Sequence, residues 1–332
     1  MGKQSTQEIA AIYQKHPDAG VHAAAEWVLR QWDQEEKIST IRTELEGKLL
    51  PANQRWYLDA SGLTFTIVDL DSAQLGSPQG ENGRRDDESQ RTVAIDRQLA
   101  ISQTEVPVAL FQRYVAESKN STHEYSLRYS PDASCPQTSV TWYEAVAFCN
   151  WLSAQAGLSS EEYCYQPNED GEYANGMSVV PDATKRKGFR LPSESEWEMF
   201  CRAGTVTSRH FGNSAHWLGE YAWYLPNGDD RSWPVASKKP NAWGLFDVHG
   251  NVWEWCQDST TFNAALTTNR QEDRNRASAE DLQIIEDGES RPLRGGSYFY
   301  HEIYTRSALR NREPVDARYF GIGLRPVRTL DP

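Results

Sequence analysis

Two acidic residues lie close together in an irregular, aromatic-rich stretch in the second half of the chain. Residues 241–255 read NAWGLFDVHGNVWEW, and their carboxylates are Asp247 and Glu254. Gly244 and Gly250 mark turns, which leave backbone carbonyl oxygens unpaired. Hard cations such as Ca²⁺ bind mixtures of carboxylate and carbonyl oxygens. Asp247 and Glu254 are therefore candidate calcium ligands; the alternative is that both acids are solvated or cap local amides.

A second group of residues that could do chemistry lies near the C-terminus, where aromatic side chains are interspersed with polar ones. The group comprises Tyr298, Phe299, Tyr300, His301, Glu302, Tyr304, Arg306, Tyr319 and Phe320. Clustered rings with a few charged side chains are typical of a small-molecule pocket or of an interface hot spot. Aromatic residues also dominate protein cores, so core packing is the alternative.

The common catalytic motifs are missing from the sequence. The five cysteines form no C-x-x-C pair, and the seven histidines form no H-x-H pair. There is no G-x-S-x-G nucleophile elbow and no G-x-x-x-x-G-K-[ST] phosphate loop. Glu194, Glu196 and Glu198 share one predicted helix, but residues two positions apart point to different faces, so they do not form an acid–base pair.

Composition excludes several classes of protein. The 332 residues carry a net charge of −13, and an acidic chain lacks the clustered cations that phosphate contacts require, so we expect no nucleic-acid partner. No run approaches the roughly 18 apolar residues of a membrane span, so we expect no membrane partner either. The N-terminus has no apolar signal core. Together with the odd number of cysteines, these features predict reduced thiols and a cytoplasmic protein.

The first 50 residues are predicted to form an N-terminal helical extension. Helices are expected over residues 5–16 and 20–45, and Pro17 breaks the chain between them. The second helix carries an apolar stripe. The stripe comprises Val21, Ala24, Ala25, Val28, Leu29 and Trp32. Such a stripe must be buried, either on the main domain or on a partner.

Two capping boxes predict the best-defined helices of the chain. Thr141 with Glu144 begins a helix over residues 142–156, and Ser193 with Glu196 begins one over residues 194–203. The remaining expectations are a hairpin over 55–68, a strand over 92–101, a helix over 107–119, a surface hairpin within 164–187 and a helix within 278–286. Strands, short helices and long loops together predict an α+β domain.

These segments resemble the formylglycine-generating enzyme family, also called the sulfatase-modifying-factor family. Residues 241–255 resemble its signature loop, and GFRLPSESEWEMFCRAG at 188–204 resembles its R-L-P-[ST]-E-x-E-W-E block. The segments RGGSY at 294–298, RSALRNR at 306–312 and GIGLRPVR at 321–328 follow in the family's order. The resemblance extends from about residue 55 to 330. It implies a C-type-lectin-like fold with little regular secondary structure over residues 51–332.

The same resemblance bears on catalysis. The family's founding activity is copper-dependent oxidation of a substrate cysteine, and it uses two enzyme thiols, the ligands that Cu(I) requires. The matching positions here hold Glu302 and Ser307, and no cysteine follows Cys256. A second branch holds a non-haem iron through histidines that include an H-x-H pair, which this chain lacks. We therefore expect no copper or iron, and we favour a non-catalytic module that binds a ligand or a protein.

The resemblance also assigns a metal site, a ligand site and a setting. It implies calcium held by the side chains of Asp247 and Glu254 and by the backbone carbonyls of Gly250 and Val252. It implies that the C-terminal aromatic group lines a groove for a protein or a small molecule. It further implies a bacterial multi-component signalling or defence system, with the N-terminal helices joining a partner domain. The alternatives are a metal-dependent oxidase or oxygenase with other chemistry, a variable protein of a diversity-generating retroelement, and a structural subunit that assembles through its N-terminal helices.

Overall fold

The computed structural model describes residues 3–46, 48, 51–69, 72–95, 97–118, 126–259 and 283–331. The chain begins with a small bundle of the helices α1 (Lys3–Lys15), α2 (Ala19–Gln31) and α3 (Glu35–Leu45). Asp18 caps α2, since its carboxylate accepts the N–H of Val21 at 2.9 Å. The bundle has its own apolar cluster, which includes Tyr13, Leu29 and Ile41. None of the helices in the described ranges is long and apolar enough to cross a membrane.

The prediction of one continuous helix over residues 20–45 is wrong. The chain turns at Asp33, which has a φ of 53°, and the N–H of Gln34 donates back to the carbonyl of Leu29 at 3.0 Å. The turn lets α3 pack against both α1 and α2. The predicted stripe is also wrong in part, because Val21 and Ala24 are exposed.

Helix α2 is buried on two sides, which explains why its buried face differs from its apolar stripe. One side packs in the bundle, and Ala23 on the other packs against Ala236 and Phe246 of the main domain. The buried face therefore includes polar residues that have partners. His22 donates from Nδ1 to the carbonyl of Tyr13 at 2.6 Å, and Glu26 pairs with Arg30 at 2.6 Å.

Most of the strands belong to two sheets. The strands are β1 (Trp56–Leu58), β2 (Thr64–Val68), β3 (Ser72–Leu75), β4 (Arg91–Ala94), β5 (Gln98–Ser102), β6 (Tyr165–Gln166), β7 (Ser178–Val179), β8 (Phe189–Arg190), β9 (Trp253–Trp255), β10 (Gln283–Ile284), β11 (Ser290–Arg294), β12 (Asn311–Pro314), β13 (Ile322–Gly323) and β14 (Val327–Asp331). One sheet has the order β1-β2-β5-β14-β8, and the other has the order β12-β11-β9-β13. Strands β10-β7-β6 and β3-β4 form smaller sheets.

The strand predictions are confirmed where turns punctuate the sequence. Strands β1 and β2 form the predicted hairpin, and β6 and β7 pair within residues 164–187. The single strand expected over 92–101 is instead β4 and β5, which lie in different sheets. Of the helix expected within 278–286, residues 278–282 lie outside the described part of the chain. Residues 283 and 284 instead form β10, which pairs antiparallel with β7 and adds a third strand to the β7-β6 pair.

Both capping boxes are confirmed, and they position the helices that cover the sheets. The remaining helices are α4 (Val108–Glu117), α5 (Trp142–Gln155), α6 (Glu194–Arg202), α7 (Leu218–Tyr221) and α8 (Leu225–Gly228). Thr141 and Glu144 cap α5 reciprocally, as Ser193 and Glu196 cap α6. Helix α5 buries Trp142 and Phe148 in the main core together with Trp253 and Trp255 of β9.

The stretch 241–255 is an irregular loop that ends in β9. Asp247 and Asn251 adopt φ values of 61° and 60°, so the backbone reverses direction twice before the strand begins. Buried Glu105 organises this segment, since Oε1 accepts the N–H of Val252 at 3.0 Å and Oε2 accepts Nδ2 of Asn251 at 2.8 Å. The loop is therefore held by polar side chains and buried rings rather than by a strand ladder.

Candidate functional site

A cavity of about 390 Å³ lies over the four-stranded sheet. Its lining comprises Trp253, Leu293, Phe299, Tyr300, Asn311, Glu313, Tyr319, Phe320, Gly321 and Ile322. We call this cavity the aromatic pocket. Opposed residues in neighbouring strands place their side chains on the same face of a sheet. Leu293 lies opposite Asn311 and Trp253 lies beside Ile322, so the sheet itself forms the floor of the pocket.

Contacts between rings fix the walls of the aromatic pocket. The rings of Trp253 and Tyr300 meet edge to face with centroids 5.4 Å apart. Phe320 stacks on Tyr129 at 4.1 Å and meets Phe299 at 5.8 Å. Aromatic pairs at these separations are favourable arrangements. Side chains held in this way lose little freedom when a ligand binds, so the pocket is largely preorganised.

The structure brings together four of the nine residues predicted to bind a ligand. Phe299, Tyr300, Tyr319 and Phe320 line the aromatic pocket. Tyr298 does not, because its side chain is fully buried beneath them. Its hydroxyl donates to the carbonyl of Phe320 at 2.6 Å, and its N–H donates to the carbonyl of Asn251 at 2.9 Å. Tyr298 thus joins the signature loop to the wall of the pocket.

Arg306 has a structural role away from the aromatic pocket. Its guanidinium contacts Glu81 and Glu88 at 2.7 Å each and donates to the carbonyl of Gly83 at 2.6 Å. The side chain is only 2% exposed, so it is buried in an ion-pair cluster that fixes the loop after β3. Glu81 and Glu88 are more than 200 residues away in the chain, so local sequence spacing does not reveal these partners.

The other three predicted ligand residues also lie outside the lining of the pocket. His301 and Glu302 are exposed, and Glu302 begins a single 3₁₀ turn, Glu302–Thr305. Tyr304 is half-buried behind Tyr300, with ring centroids 5.0 Å apart. The turn directs this segment away from the sheet, which is why neighbours in sequence are not neighbours in the pocket.

Six residues of the lining were missed by sequence reasoning. They are Trp253, Leu293, Asn311, Glu313, Gly321 and Ile322. Each belongs to a strand of the four-stranded sheet or adjoins one, and they meet only because of the strand register. The period-two spacing of Asn311 and Glu313 is the one sequence signal that places two of them on a common face.

The positions that match the family's copper cysteines do not form a thiol site. Glu302 is exposed, whereas Ser307 is buried with Oγ 3.5 Å from Sγ of Cys201. Burial raises the pKa of the Cys201 thiol to about 12, so the thiol stays protonated. His249 lies 3.8 Å from Cys201, and burial lowers the pKa of its imidazole well below the usual range. A neutral thiol beside a neutral imidazole is not an activated nucleophile.

The residues expected to bind calcium fit that ion only in part. Oδ2 of buried Asp247 accepts the N–H of Ala236 at 2.9 Å, and Oδ1 has no hydrogen-bond partner. Glu254 differs from the expectation, because Arg325 and Trp197 occupy both of its oxygens at 2.7–3.1 Å. Within the described ranges, no three His, Cys, Asp or Glu side chains are grouped to hold a metal. A calcium site here would rest on Asp247 and on the carbonyls of Gly250 and Val252.

The charge around Asp247 is unbalanced. Burial, followed by the charges of Asp247 and Glu254, raises the pKa of Glu105. Burial also raises the pKa of Asp247 to about 6, with a further contribution from Glu254. Arg325 balances the charge of one of the three carboxylates Glu105, Asp247 and Glu254. A cation at Oδ1 of Asp247 would reduce the repulsion between the other two, which a bound proton would otherwise reduce.

Comparison with known proteins agrees with this architecture. Residues 70–330 match the family model described as sulfatase-modifying factor enzyme 1-like domain. The formylglycine-generating enzyme of Thermomonospora curvata is 32% identical over 199 residues, which cover 56% of this chain and 60% of that protein. The formylglycine-generating enzyme of Streptomyces coelicolor is 27% identical over 286 residues, covering 77% of this chain and 86% of that protein.

A solved structure has a similar fold. Treponema denticola variable protein 1 superposes with a TM-score of 0.60 and 26% identity over 80% of this chain and 95% of its own. The loop-rich α+β scaffold with its buried signature loop is thus a formylglycine-generating-enzyme-like fold of the C-type-lectin kind. The chain belongs to the sulfatase-modifying factor family.

Proposed function

We propose that the chain is a non-catalytic binding module that uses the aromatic pocket to hold a small molecule or a side chain of a protein partner. The observation that supports this function is the convergence of Phe299, Tyr300, Tyr319 and Phe320 on one cavity of about 390 Å³. Pockets that bind small ligands are concave, mostly apolar and of this size. The positions matching the copper ligands carry Glu302 and Ser307, which are not ligands for Cu(I).

The partly exposed rings of the pocket separate this proposal from simple core packing. Tyr319 and Phe320 are 50% and 41% exposed, and both line one cavity; contiguous exposed apolar surface marks a binding site, whereas single exposed side chains do not. Phe320 nevertheless has a defined position, since it stacks on Tyr129. An exposed but preorganised ring is suited to binding.

A screen of small fragments by saturation-transfer NMR tests the proposed function. Fragments that bind the protein should lose most of their signal with Phe320→Ala and Tyr300→Ala, and the melting temperature should change little. Trp217→Ala is the matched control, because Trp217 is 58% exposed and lies outside the lining. The proposal would be contradicted if fragments bound the two pocket variants as strongly as they bind Trp217→Ala. It would also be contradicted if no fragment bound the wild-type protein.

A second candidate function is that of a variable protein, and the likeness to Treponema denticola variable protein 1 favours it. In that case the sequences of this protein from independent isolates should differ mainly at exposed lining positions such as Tyr319 and Phe320. Sequencing the locus from independent isolates checks this. Differences spread evenly over the chain, or none at all, would contradict it.

The setting in a bacterial multi-component system follows from the family and is proposed on that ground. In such a system the N-terminal bundle would carry the contact with another domain. Its exposed Val21 lies on the face of α2 that the main domain leaves open. If Val21→Glu abolishes binding of the other domain and Trp217→Ala does not, the assignment is supported. If the Val21→Glu variant binds that domain as the wild type does, the assignment is contradicted.

A further inference from the structure

Glu313 is the charged residue of the aromatic pocket. The other lining residues are apolar, aromatic or neutral polar, so Glu313 alone gives the lining a formal charge at neutral pH. Its carboxylate has no hydrogen-bond or ion-pair partner among the described residues. Burial raises the pKa of this carboxyl, which reflects the lack of a compensating cation. The protein thus leaves one half-buried negative charge unmatched within a ring of aromatic side chains.

The two arginines next to Glu313 in the sheet pair with other groups. Arg291 lies directly opposite Glu313 in the sheet. Its guanidinium nevertheless contacts Glu289 at 3.0 Å and the carbonyl of Gln257 at 3.2 Å, and it lies over the ring of Trp142 at 4.9 Å. Arg312, the next residue in β12, points to the opposite face and lies 3.9 Å from Asp87. Neither arginine pairs with Glu313, so the charge remains available to a ligand.

Aromatic rings around a carboxylate select for a cation. A ligand cation near the rings of Trp or Tyr is attracted by their quadrupoles, and the attraction grows as water is excluded. Here the half-buried ring of Tyr300 and the exposed rings of Tyr319 and Phe320 line the cavity and are open to a ligand. The carboxylate adds a direct charge interaction at the same place. Both contributions have the same sign, and neither favours an anion or a neutral solute.

The number of acceptors in the pocket narrows the kind of cation. A guanidinium carries five N–H donors, each of which needs an acceptor when it is buried. The lining offers the Glu313 carboxylate, the amide oxygen of Asn311 and the hydroxyls of Tyr300 and Tyr319 as its side-chain acceptors, and only the first two accept without also donating. An ammonium carries three N–H donors at most, which the two carboxylate oxygens and the amide oxygen can accept, and aromatic rings can cover its aliphatic groups. The lining therefore suits an ammonium better than a guanidinium.

We propose that the aromatic pocket binds an aliphatic ammonium group through the Glu313 carboxylate and the surrounding rings. The inference rests on the proposed function, because it assigns the ligand class of that same pocket. The ammonium could belong to a free small molecule or to a lysine side chain of a partner. Both sources present the same charge on an aliphatic stem, and the site recognises that shared chemistry.

The test compares two molecules of almost equal shape that differ in charge. Choline and its neutral carbon isostere 3,3-dimethylbutan-1-ol are titrated into the full chain by isothermal calorimetry. Choline should bind at least roughly tenfold more tightly than the isostere. Glu313→Gln should remove this preference without lowering the melting temperature. Glu169→Gln is the control, since Glu169 is an exposed acid outside the pocket and its loss changes the net charge equally.

Other outcomes separate the ligand class from the pocket itself. Equal binding of the two molecules, or a choline preference that survives in Glu313→Gln, overturns the ammonium inference. If neither molecule binds while neutral fragments bind and are lost with Phe320→Ala, the ammonium inference fails and the proposed function stands. If no fragment binds at all, both fail. Tighter binding of n-butylammonium than of choline would support a lysine side chain as the source, and the reverse order would support a free quaternary amine.

Discussion

Glu254 and Arg325 form a fully buried, two-pronged ion pair at the centre of the molecule. Nη2 of Arg325 lies 2.7 Å from Oε1, and Nε lies 2.9 Å from Oε2. The remaining Arg325 nitrogen donates to the carbonyl of Ser102 at 3.0 Å, and Nη2 also reaches the carbonyl of Phe246 at 2.9 Å. One side chain thus connects β9, β5 and the signature loop. The second sheet, which forms the floor of the aromatic pocket, depends on this connection.

Removing the arginine should destabilise the fold strongly. Arg325→Met leaves Glu254 charged and buried, and breaking one side of such a pair costs about 3–5 kcal/mol. Urea denaturation should show a loss of this size. Lys185→Met is the matched control, because the Lys185–Asp182 pair is exposed and should contribute only about 0–1 kcal/mol. Equal losses in the two variants would refute a central role for Arg325.

His22 should make the protein sensitive to mild acid. It is stacked between Tyr13 and Trp56, and burial lowers the pKa of its imidazole to about 4, although Glu26 opposes the shift. The unfolded chain, with a pKa of about 6.5, therefore binds more protons than the folded chain between pH 6.5 and 4. The stability from neutral His22 is complete above about pH 6.5 and is lost as the pH falls toward 4. The loss between pH 7.5 and 5 should be about 2 kcal/mol.

A substitution isolates this contribution from other titrating groups. With His22→Phe, the difference in free energy of unfolding between pH 7.5 and 5, measured with urea, should shrink by about 2 kcal/mol. The exposed His301 serves as the control, and His301→Gln should leave the difference unchanged. A pH dependence in His22→Phe equal to that of the wild type would show that burial does not govern this histidine.

The contact between the N-terminal bundle and the signature loop depends on a glycine. A Cβ at Gly244 would lie 2.5 Å from the carbonyl oxygen of Ala19, whereas a Cβ at Gly288 meets nothing within 4 Å. The two glycines have similar φ values of 83° and 86°, so an alanine carries the same backbone strain at each, about 1–2 kcal/mol. Gly244→Ala should therefore cost clearly more than Gly288→Ala.

Hydrogen exchange locates the effect of that clash. In Gly244→Ala, amide protection should fall in α2 and in the loop around Phe246, while protection in α5 is kept. The Gly288→Ala variant should show neither change. If the two variants lose the same free energy of unfolding and the same amide protection, the close approach of α2 to the loop does not contribute to stability.

Local signals allowed much of the fold to be predicted. The capping boxes at Thr141 and Ser193 fixed the beginnings of α5 and α6, because a cap involves residues only three positions apart. The turn at Asp33 carried no glycine or proline to announce it, so one helix was predicted where two exist. The hydrogen bond from Gln34 to Leu29 that makes this turn depends on packing, which a periodic pattern does not contain.

The candidate site was predictable only where its residues are adjacent in the chain. Phe299 and Tyr300 line the aromatic pocket, whereas Tyr298 beside them is buried in the support of the wall. Glu313 was missed altogether. Its place in the pocket follows from the pairing of β12 with β11, and strand register is not encoded by residue type alone. Arg306 was assigned to the ligand because its partners Glu81 and Glu88 lie far away in sequence.

Calcium remains a prediction, and Asp247 is the residue that tests it. Its Oδ1 is buried without a hydrogen-bond partner, beside the paired carboxylate of Glu254. Bound calcium would stabilise the folded state by mass action, by about 2.7 kcal/mol when the ion is present at about a hundred times its Kd. Treatment with EGTA should therefore lower the melting temperature, and added calcium should restore it. Asp247→Asn should weaken this response, whereas Asp170→Asn, at an exposed position, should keep it. If neither EGTA nor added calcium changes the melting temperature of the wild type, calcium does not bind here. A proton shared by Glu105 and Asp247, together with Arg325, would then be enough to balance the buried charge.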